Sequence, residues 1–287
     1  MFDFRYHALS LVAVFIALAV GLVLGVTIGD KGVLTSARRE LSANLVARAR
    51  DRASTLSSEL NVRRQFEQET YPALVADRLV GERFGLVFLG GSSDTIARQV
   101  SAALVGTGGS LRFVAVVRDS PNLSELSSRA ASTRYAGLDS DPALLAAFAN
   151  AVGRSLVRGG SLARVERQPL LSSFSGALGA VNGIVVARLG AAPTGDNADQ
   201  ITALQNGIVD GMAGTDASIV GVETQTSDPS QVPWYQDRGI STVDDIDDVA
   251  GQTALVYVLA GAKGDYGVKP IAEALVPRLV GSTTTTP

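Results

Sequence analysis

The sequence contains no cysteine, one histidine (His7) and two methionines (Met1 and Met212) among its 287 residues. Without cysteine the protein has no disulfide, no thiolate zinc site, no iron–sulfur cluster and no cysteine nucleophile. Soft metals such as Cu(I) prefer thiolate and thioether ligands, with imidazole as the next choice. The chain therefore has almost no ligands with which it could bind a soft metal by itself. We expect no cofactor.

A large excess of charge of one sign is also missing. The chain has 25 Lys and Arg against 28 Asp and Glu, a net charge of −3, so it has no general attraction to nucleic acid. Its only histidine precedes the long apolar run near the N-terminus, which excludes a Ser–His–Asp triad, and acid–base catalysis would need carboxylates, lysine or tyrosine. No arrangement of these residues demands such chemistry, and we expect the protein not to be an enzyme.

One long apolar run stands at the N-terminus. From Leu9 to Ile28 the chain carries no charge, and at 1.5 Å per residue it reaches about 30 Å, the thickness of the hydrocarbon core of a bilayer. A cleaved signal peptide has a shorter apolar core and a small-x-small cleavage site, and no Ala-x-Ala follows here. We predict a short segment at 1–8 and a retained transmembrane signal anchor at 9–29; a cleaved signal and a buried soluble helix are the alternatives.

Positive charges on the two sides of this run leave its orientation open. Arg5 precedes it, whereas the residues that follow include Lys31, Arg38, Arg39 and Arg48. The positive-inside rule would keep the C-terminal side in the cytoplasm, but long domains translocate largely regardless of charge.

Small residues recur every four positions within the apolar run. They are Ala13, Ala17, Gly21, Gly25 and Gly29. In lipid, small residues at this spacing let two helices approach closely. The pattern favours association of membrane helices between copies of the chain, although glycine and alanine are also common in membrane helices that stay single.

The segment at 30–72 is predicted to be a helical coiled-coil stalk. It has neither proline nor glycine between Leu34 and Tyr71, and Pro72 is expected to break it. Its apolar residues recur at a spacing of eleven in two series: Leu34, Leu45 and Leu56, then Ala49, Leu60 and Tyr71. Eleven residues in three turns form the seam of a straight or slightly right-handed coiled coil. A lone helix packed on the main domain is the alternative.

The segment at 79–281 is predicted to be a mostly parallel, doubly wound α/β domain. Continuous apolar runs, typical of strands buried on both faces, lie at 84–91, 111–118, 183–190, 218–224 and 239–244. Helices are predicted between them, at Asp94–Val105, Asp141–Gly159, Thr202–Gly214 and Pro233–Arg238. This alternation is the basis of the fold class. The tail at 282–287 is low in complexity and predicted to be disordered.

Two further stretches have a functional and a structural interpretation. The glycine-rich loop at Gly90–Thr95 can cradle phosphate at a helix N-terminus, but it lacks a Walker lysine and a complete G-x-G-x-x-G; the alternative is a tight turn capped by Ser93 or Asp94.

The aromatic pair Trp234 and Tyr235 can dock a partner, or it can cover the core.

Four carboxylates crowd the segment after the last predicted strand. They are Asp244, Asp245, Asp247 and Asp248. Such a group can bind a hard cation such as Mg²⁺ or Ca²⁺, which makes these residues weak metal candidates; the alternative is a strand end followed by a helix cap. The next segment, Val249–Ala262, is predicted to be a buried helix, with a strand as the second interpretation.

Two motifs at opposite ends of the chain carry a resemblance. The sequence FRYHALSLVAVFIALAVGLVLG, at 4–25, and the sequence GISTVDDIDDVAGQTALVYVLAGAKGDYGVK, at 239–269, resemble the opening and closing motifs of the actinobacterial copper-transport protein B family. The resemblance implies a role in copper homeostasis or export from the cell envelope, with the N-terminus inside and the globular domain outside. It also implies a link to cell-division complexes, in which the stalk pairs with the coiled coil of a peptidoglycan hydrolase.

The residues by themselves do not explain a copper channel. One membrane helix cannot form a pore alone, and only Met1 and His7 stand near the membrane as candidate copper ligands. We therefore expect an indirect role in copper handling, or one in an assembly; a non-enzymatic scaffold of envelope or division complexes is the alternative. The expected partners are the lipid bilayer, a second copy in a homodimer or higher homo-oligomer, and envelope or division proteins.

Overall fold

The computed structural model describes residues 4–28, 32–165, 167–195 and 197–278, and within them the side chains of 4–6, 26–28, 32–42 and 165 are outside the description. The chain divides into two compact units, Met1–Gln65 and Phe66–Pro287. The predicted disordered tail at 282–287 lies outside the described residues.

Two long helices begin the chain, α1 (Phe4–Ile28) and α2 (Gly32–Val75). The segment His7–Gly25 of α1 is long and apolar enough to cross a membrane, and none of it is buried by the rest of the chain. Its large apolar side chains from Leu9 to Leu24 are 51–72% exposed. The prediction of one N-terminal apolar helix is confirmed.

The predicted break at Pro72 is wrong, because α2 continues through that residue to Val75. Packing within the second unit explains the continuation. The Tyr71 hydroxyl donates a hydrogen bond of 2.7 Å to the carbonyl of Ala103, the Tyr257 hydroxyl donates to the carbonyl of Leu74, and Val75 is fully buried. These contacts on both sides of the proline offset the hydrogen bond that its missing N–H cannot make.

Seven strands form one sheet in the order β3-β2-β1-β4-β5-β6-β7. They are β1 (Arg83–Leu89), β2 (Ser110–Val117), β3 (Leu171–Gly176), β4 (Gly183–Arg188), β5 (Ser218–Val222), β6 (Ser241–Val243) and β7 (Asp265–Tyr266). All neighbours are parallel except β2 and β3. The predicted mostly parallel α/β sheet is confirmed, and β3 and β7 are additions at its two edges.

Eight helices of the described residues accompany the sheet. They are α3 (Asp94–Ala103), α4 (Leu123–Ala130), α5 (Pro142–Arg158), α6 (Ser161–Val165), α7 (Arg167–Leu170), α8 (Ala198–Ala213), α9 (Val232–Gln236) and α10 (Val249–Leu259). Helix α10 confirms that the segment predicted at Val249–Ala262 is a helix and not a strand. The short helices α4, α6 and α7 were not predicted.

The sheet has an apolar core on each face. Side chains of one strand alternate between the faces: in β1, Val87 and Leu89 face α5 and α8, whereas Leu86 and Phe88 face the layer that contains α3 and α10. This arrangement explains why β1 is an unbroken apolar run: both of its faces are covered.

Helices α5 and α8 pack against each other through glycines. A Cβ at Gly153 would lie 1.9 Å from the carbonyl oxygen of Ile208, and one at Gly211 would lie 2.1 Å from that of Asn150. Any side chain at these positions would force the two helices apart. The contact between α5 and α8 therefore depends on glycine at these two positions.

Candidate functional site

Buried charged residues gather where the parallel strands β4, β5 and β6 end. Arg188 is the last residue of β4, Glu223 follows β5 and Asp244 follows β6, and all three are buried. Because the carboxyl ends of parallel strands lie along one edge of a sheet, these residues from distant parts of the sequence come together. This edge is the candidate functional site.

The buried Glu223 forms an ion pair with the half-buried Lys269, with 2.5 Å between Oε1 and Nζ. The carboxylate also accepts hydrogen bonds of 2.6 Å from the Ser230 hydroxyl and from the backbone N–H of Gln231, and Lys269 donates to the carbonyl of Ser227 at 2.9 Å. Several hydrogen bonds thus compensate for the removal of the two charges from water. The pair ties the loop after β7 to the loop after β5.

Asp244 fixes the backbone of the loop after β7. Its carboxylate accepts hydrogen bonds from the N–H groups of Val268, at 2.8 Å, and Lys269, at 3.1 Å. Gly267 has a φ of +137° and its Cα lies so close that a Cβ would clash with the Asp244 carboxylate. Burial raises the pKa of Asp244 above its ordinary value, and the two N–H groups oppose this shift.

Asp245 has a different environment from its neighbour. Its side chain is fully buried, and neither carboxylate oxygen has a hydrogen-bond partner among the described residues. Burial, and then the negative charges of Asp244, Asp248 and Asp247, raise its pKa to about 7. An unpartnered buried carboxylate is costly when ionised, so below about pH 7 this residue favours its protonated form in the folded protein.

The remaining two aspartates have separate structural partners. Asp248 is the N-cap of α10 and accepts a hydrogen bond of 3.1 Å from the N–H of Ala250. Asp247 accepts one of 2.9 Å from the N–H of Gln225. In the part of the chain that the structure describes, no three His, Asp or Glu side chains come together to hold a metal ion. The strand-end and helix-cap interpretation therefore accounts for Asp248, whereas Asp244 and Asp247 accept hydrogen bonds from backbone N–H groups of other loops.

The aromatic pair belongs largely to the core. Tyr235 is fully buried, donates a hydrogen bond to the carbonyl of Val186 and accepts one from the N–H of Arg188; burial raises its pKa. Trp234 is half-buried, and the guanidinium groups of Arg188 and Arg238 stand over its ring at 5.0 and 4.0 Å. The core interpretation is correct for Tyr235.

Arg188 was not singled out from the sequence, yet it is the most buried arginine at this edge, with 8% exposure. Its Nε donates to Gln205 at 3.3 Å and its Nη1 donates to Gln231. A sequence signal existed: Arg188 and Glu223 are single charged residues at the ends of the apolar runs 183–190 and 218–224. A charge directly after a buried strand marks the edge where functional groups gather.

The glycine-rich loop at Gly90–Thr95 has the geometry of its capping alternative. The Ser93 hydroxyl accepts a hydrogen bond of 3.3 Å from the N–H of Ile96, which makes it the N-cap of α3. Gly90 has a φ of +75°, and a Cβ there would lie 2.3 Å from the carbonyl oxygen of Leu189. Glycine is therefore required where β1 and β4 end side by side.

The small residues of α1 and the predicted seam residues of α2 as far as Leu60 are exposed to solvent wherever the structure describes their side chains. Ala13, Ala17, Gly21 and Gly25 are exposed, and a Cβ at Gly21 or Gly25 would meet nothing within 4 Å; Gly29 lies outside the described residues. Seam residues Leu45, Ala49, Leu56 and Leu60 are exposed on α2, whereas the side chain of Leu34 lies outside the description. His7 is exposed, and Met1 lies outside the described residues.

The fold and the sequence together define a class: mixed α/β proteins with one N-terminal apolar helix long enough to span a membrane. The family described as copper transport outer membrane protein, MctB, matches residues 1–277, and the chain belongs to this family. The resemblance of the two end motifs is thereby confirmed, and at the family level the chain is a copper transport-related membrane protein. No individual curated protein matches it.

Proposed function

We propose that this protein is a membrane-anchored, non-enzymatic component of the cell envelope that contributes to copper homeostasis or export indirectly or within an assembly. The observation that carries the proposal is the uncovered apolar segment His7–Gly25. Burying such a segment in lipid removes its apolar surface from water and leaves every backbone hydrogen bond inside the helix. The family membership supplies the link to copper.

The distribution of soft ligands favours an indirect role. Met212 is fully buried in the core beside α5 and α8, and His7 is the only imidazole of the chain. Cu(I) sites are built from several thiolate, thioether or imidazole ligands. One apolar helix also cannot enclose a path for an ion, so transport would require further copies or other proteins.

We place the N-terminus on the cytoplasmic side and the α/β unit on the extracytoplasmic side, as the resemblance implies. The family description names the outer membrane, which agrees with a location in the envelope. The long second unit can be translocated whatever the charge count beside α1.

The alternative function is a scaffold or regulator of envelope or division complexes that acts through the stalk and the α/β unit. The exposed seam favours it, because Leu45, Leu56 and Leu60 are 49–59% exposed and have no cover from their own chain. An apolar seam on a long helix is typical of helices that pair with another helix. A second copy, or the coiled coil of a partner protein, would cover it.

Membrane retention tests the anchor. We expect the full chain to stay with membranes through an alkaline carbonate wash and to be released by detergent. The double substitution Val14→Arg and Leu18→Arg should release the protein from the membrane, since each arginine costs about 3 kcal/mol at the centre of a bilayer helix. Val105→Arg, at an exposed valine of the α/β unit, is the control and should remain bound. Release of the wild type by plain buffer would refute the anchor.

Copper binding and copper sensitivity separate the two functions. We expect the detergent-solubilised full chain to bind no Cu(I) tightly, and its deletion to change the copper tolerance of the cell. Tight stoichiometric Cu(I) binding would refute the indirect role. Unchanged copper tolerance, together with a fluorescent fusion concentrated at division septa, would support the scaffold instead.

A further inference from the structure

A crevice of about 240 Å³ lies at the point where the winding of the sheet changes direction. The chain passes from β1 to β2 on one side and later returns to β4 on the other side of β1. Such a change of direction leaves room for a ligand beyond the carboxyl ends of the strands. Its lining includes Gly90, Asp119, Arg188, Thr194, Ile201 and Gln205.

The guanidinium of Arg188 is held at this crevice by two neutral amides. Nε donates to Oε1 of Gln205 and Nη1 donates to Oε1 of Gln231, and both glutamines are themselves buried. Amides orient the guanidinium without cancelling its charge. A guanidinium has five N–H donors, so three of them have no acceptor among the described residues.

The positive charge of Arg188 is poorly compensated. No carboxylate lies within ion-pair distance of it in the described part of the chain. Trp234 provides a cation–π contact, but Arg238, over the same ring, adds a like charge. Asp119, the carboxylate that lines the crevice among the described residues, is exposed to solvent, which screens its charge. A buried charge normally has an ionic partner, and a bound anion would supply one.

We propose that this crevice binds a small oxyanion, a carboxylate or phosphate group, with Arg188 as its anchor. The planar fork of arginine matches two oxygens of either group and forms strong charge-assisted hydrogen bonds. The volume is below the usual range for drug-sized ligands, so the ligand has few atoms. This site is separate from copper handling and does not depend on the membrane anchor.

Trp234 provides the readout, because it is the only tryptophan of the chain and its ring lies 5.0 Å from the Arg188 guanidinium. The full chain in detergent is titrated with inorganic phosphate and, separately, with succinate, at ionic strength held constant with chloride. We expect a saturable fluorescence change with at least one anion and a Kd of about 1 mM or tighter. Saturation by one anion alone identifies the chemical group.

Arg188→Gln should weaken binding about tenfold or more, the loss expected for charge-assisted hydrogen bonds. The matched control is Arg98→Gln, which removes the same charge from an exposed position of α3. If Arg188→Gln does not fold, Ala191→Glu decides, because this exposed residue lines the crevice and would place a negative charge there. Ala131→Glu, at an exposed alanine elsewhere, is its control.

Two results would overturn the proposal. One is a wild-type protein whose fluorescence shows no saturable response to either anion. The other is an Arg188→Gln or Ala191→Glu variant that keeps the unfolding temperature of the wild type and binds the anion with unchanged affinity.

Discussion

The two units of the chain use the same small residues with opposite outcomes. In the α/β unit, Gly153 and Gly211 let α5 and α8 approach until backbone atoms leave no room for a Cβ. On α1, Gly21 and Gly25 have the same four-residue spacing as small residues in membrane helix pairs, yet a Cβ there would meet nothing within 4 Å. The spacing of small residues thus shows that a helix can pack closely, but not what it packs against.

Apolar helices show the same contrast. Helix α10 is buried almost throughout, with Leu255 and Val256 fully inaccessible, whereas α1 is apolar and uncovered. A helix that is apolar all round requires either a protein core or a membrane. The α/β unit provides the core for α10 within one chain. The apolar side chains of α1, and Leu45, Leu56 and Leu60 of α2, are exposed instead.

Asp245 differs from the other buried aspartate, Asp244, because its carboxylate accepts no hydrogen bond from the described residues. Its titration should have the largest effect on stability. Its pKa is about 7 in the folded protein against 3.8 ordinarily, so between these values the folded state keeps a proton that the unfolded state has lost. The free energy of unfolding should therefore fall as pH rises from 4 to 7, by about 1.4 kcal/mol per pH unit and about 4 kcal/mol in all. Denaturant unfolding across this range measures it.

Asp245→Asn should flatten most of this pH dependence, because an amide does not titrate. The raised pKa of Asp244 acts in the same direction and leaves a smaller slope. Asp216→Asn, at an exposed aspartate, should keep the slope of the wild type. A wild-type protein whose stability is constant or rises between pH 4 and 7 would contradict the role given to Asp245.

Gly211→Ala tests the close helix contact of the α/β unit. The added Cβ would lie 2.1 Å from the carbonyl oxygen of Asn150, so α5 and α8 must separate. We expect a loss of about 1–3 kcal/mol in the free energy of unfolding, as for overpacked cores. Gly179→Ala is the matched control, since its Cβ would meet nothing within 4 Å. Equal stability of the two variants would show that the contact can relax.

The sequence predicted the parts of the fold that depend on local patterns. The apolar runs at 84–91 and 183–190 form β1 and β4. Helix α5 begins after its N-cap Asp141 and ends at its left-handed C-cap Gly159, as the sequence predicts. Strand β3 was missed because most of its side chains are exposed or half-buried, so its sequence has no apolar run. Pro72 was misjudged because tertiary packing of Tyr71 and Val75 outweighs the local preference of proline.

The candidate site was predicted only where its residues are neighbours in sequence. Asp244, Asp245, Asp247 and Asp248 were noticed because they form a cluster in the chain, but the structure gives them separate partners. The edge that the structure assembles joins Arg188, Glu223 and Lys269, whose proximity results from strand order. The order of the strands places residues from distant parts of the sequence at one edge, and spacing along the chain does not show this.

The smallest expected effect concerns the exposed glycines of α1. Replacing both Gly21 and Gly25 with leucine should weaken self-association of the full chain in lipid vesicles by about 1 kcal/mol, because the helices could no longer approach closely. The unfolding of the α/β unit should not change, since a Cβ at Gly21 or Gly25 would meet nothing within 4 Å.

Resonance energy transfer between labelled copies in vesicles measures this association. Ala19→Leu, on the opposite side of α1 from Ala17, enlarges a small residue outside the stripe and should leave association as in the wild type. If the double leucine variant associates as well as the wild type, the stripe has no role in pairing. The apolar surface of α1 would then be covered by lipid rather than by a second copy of the helix.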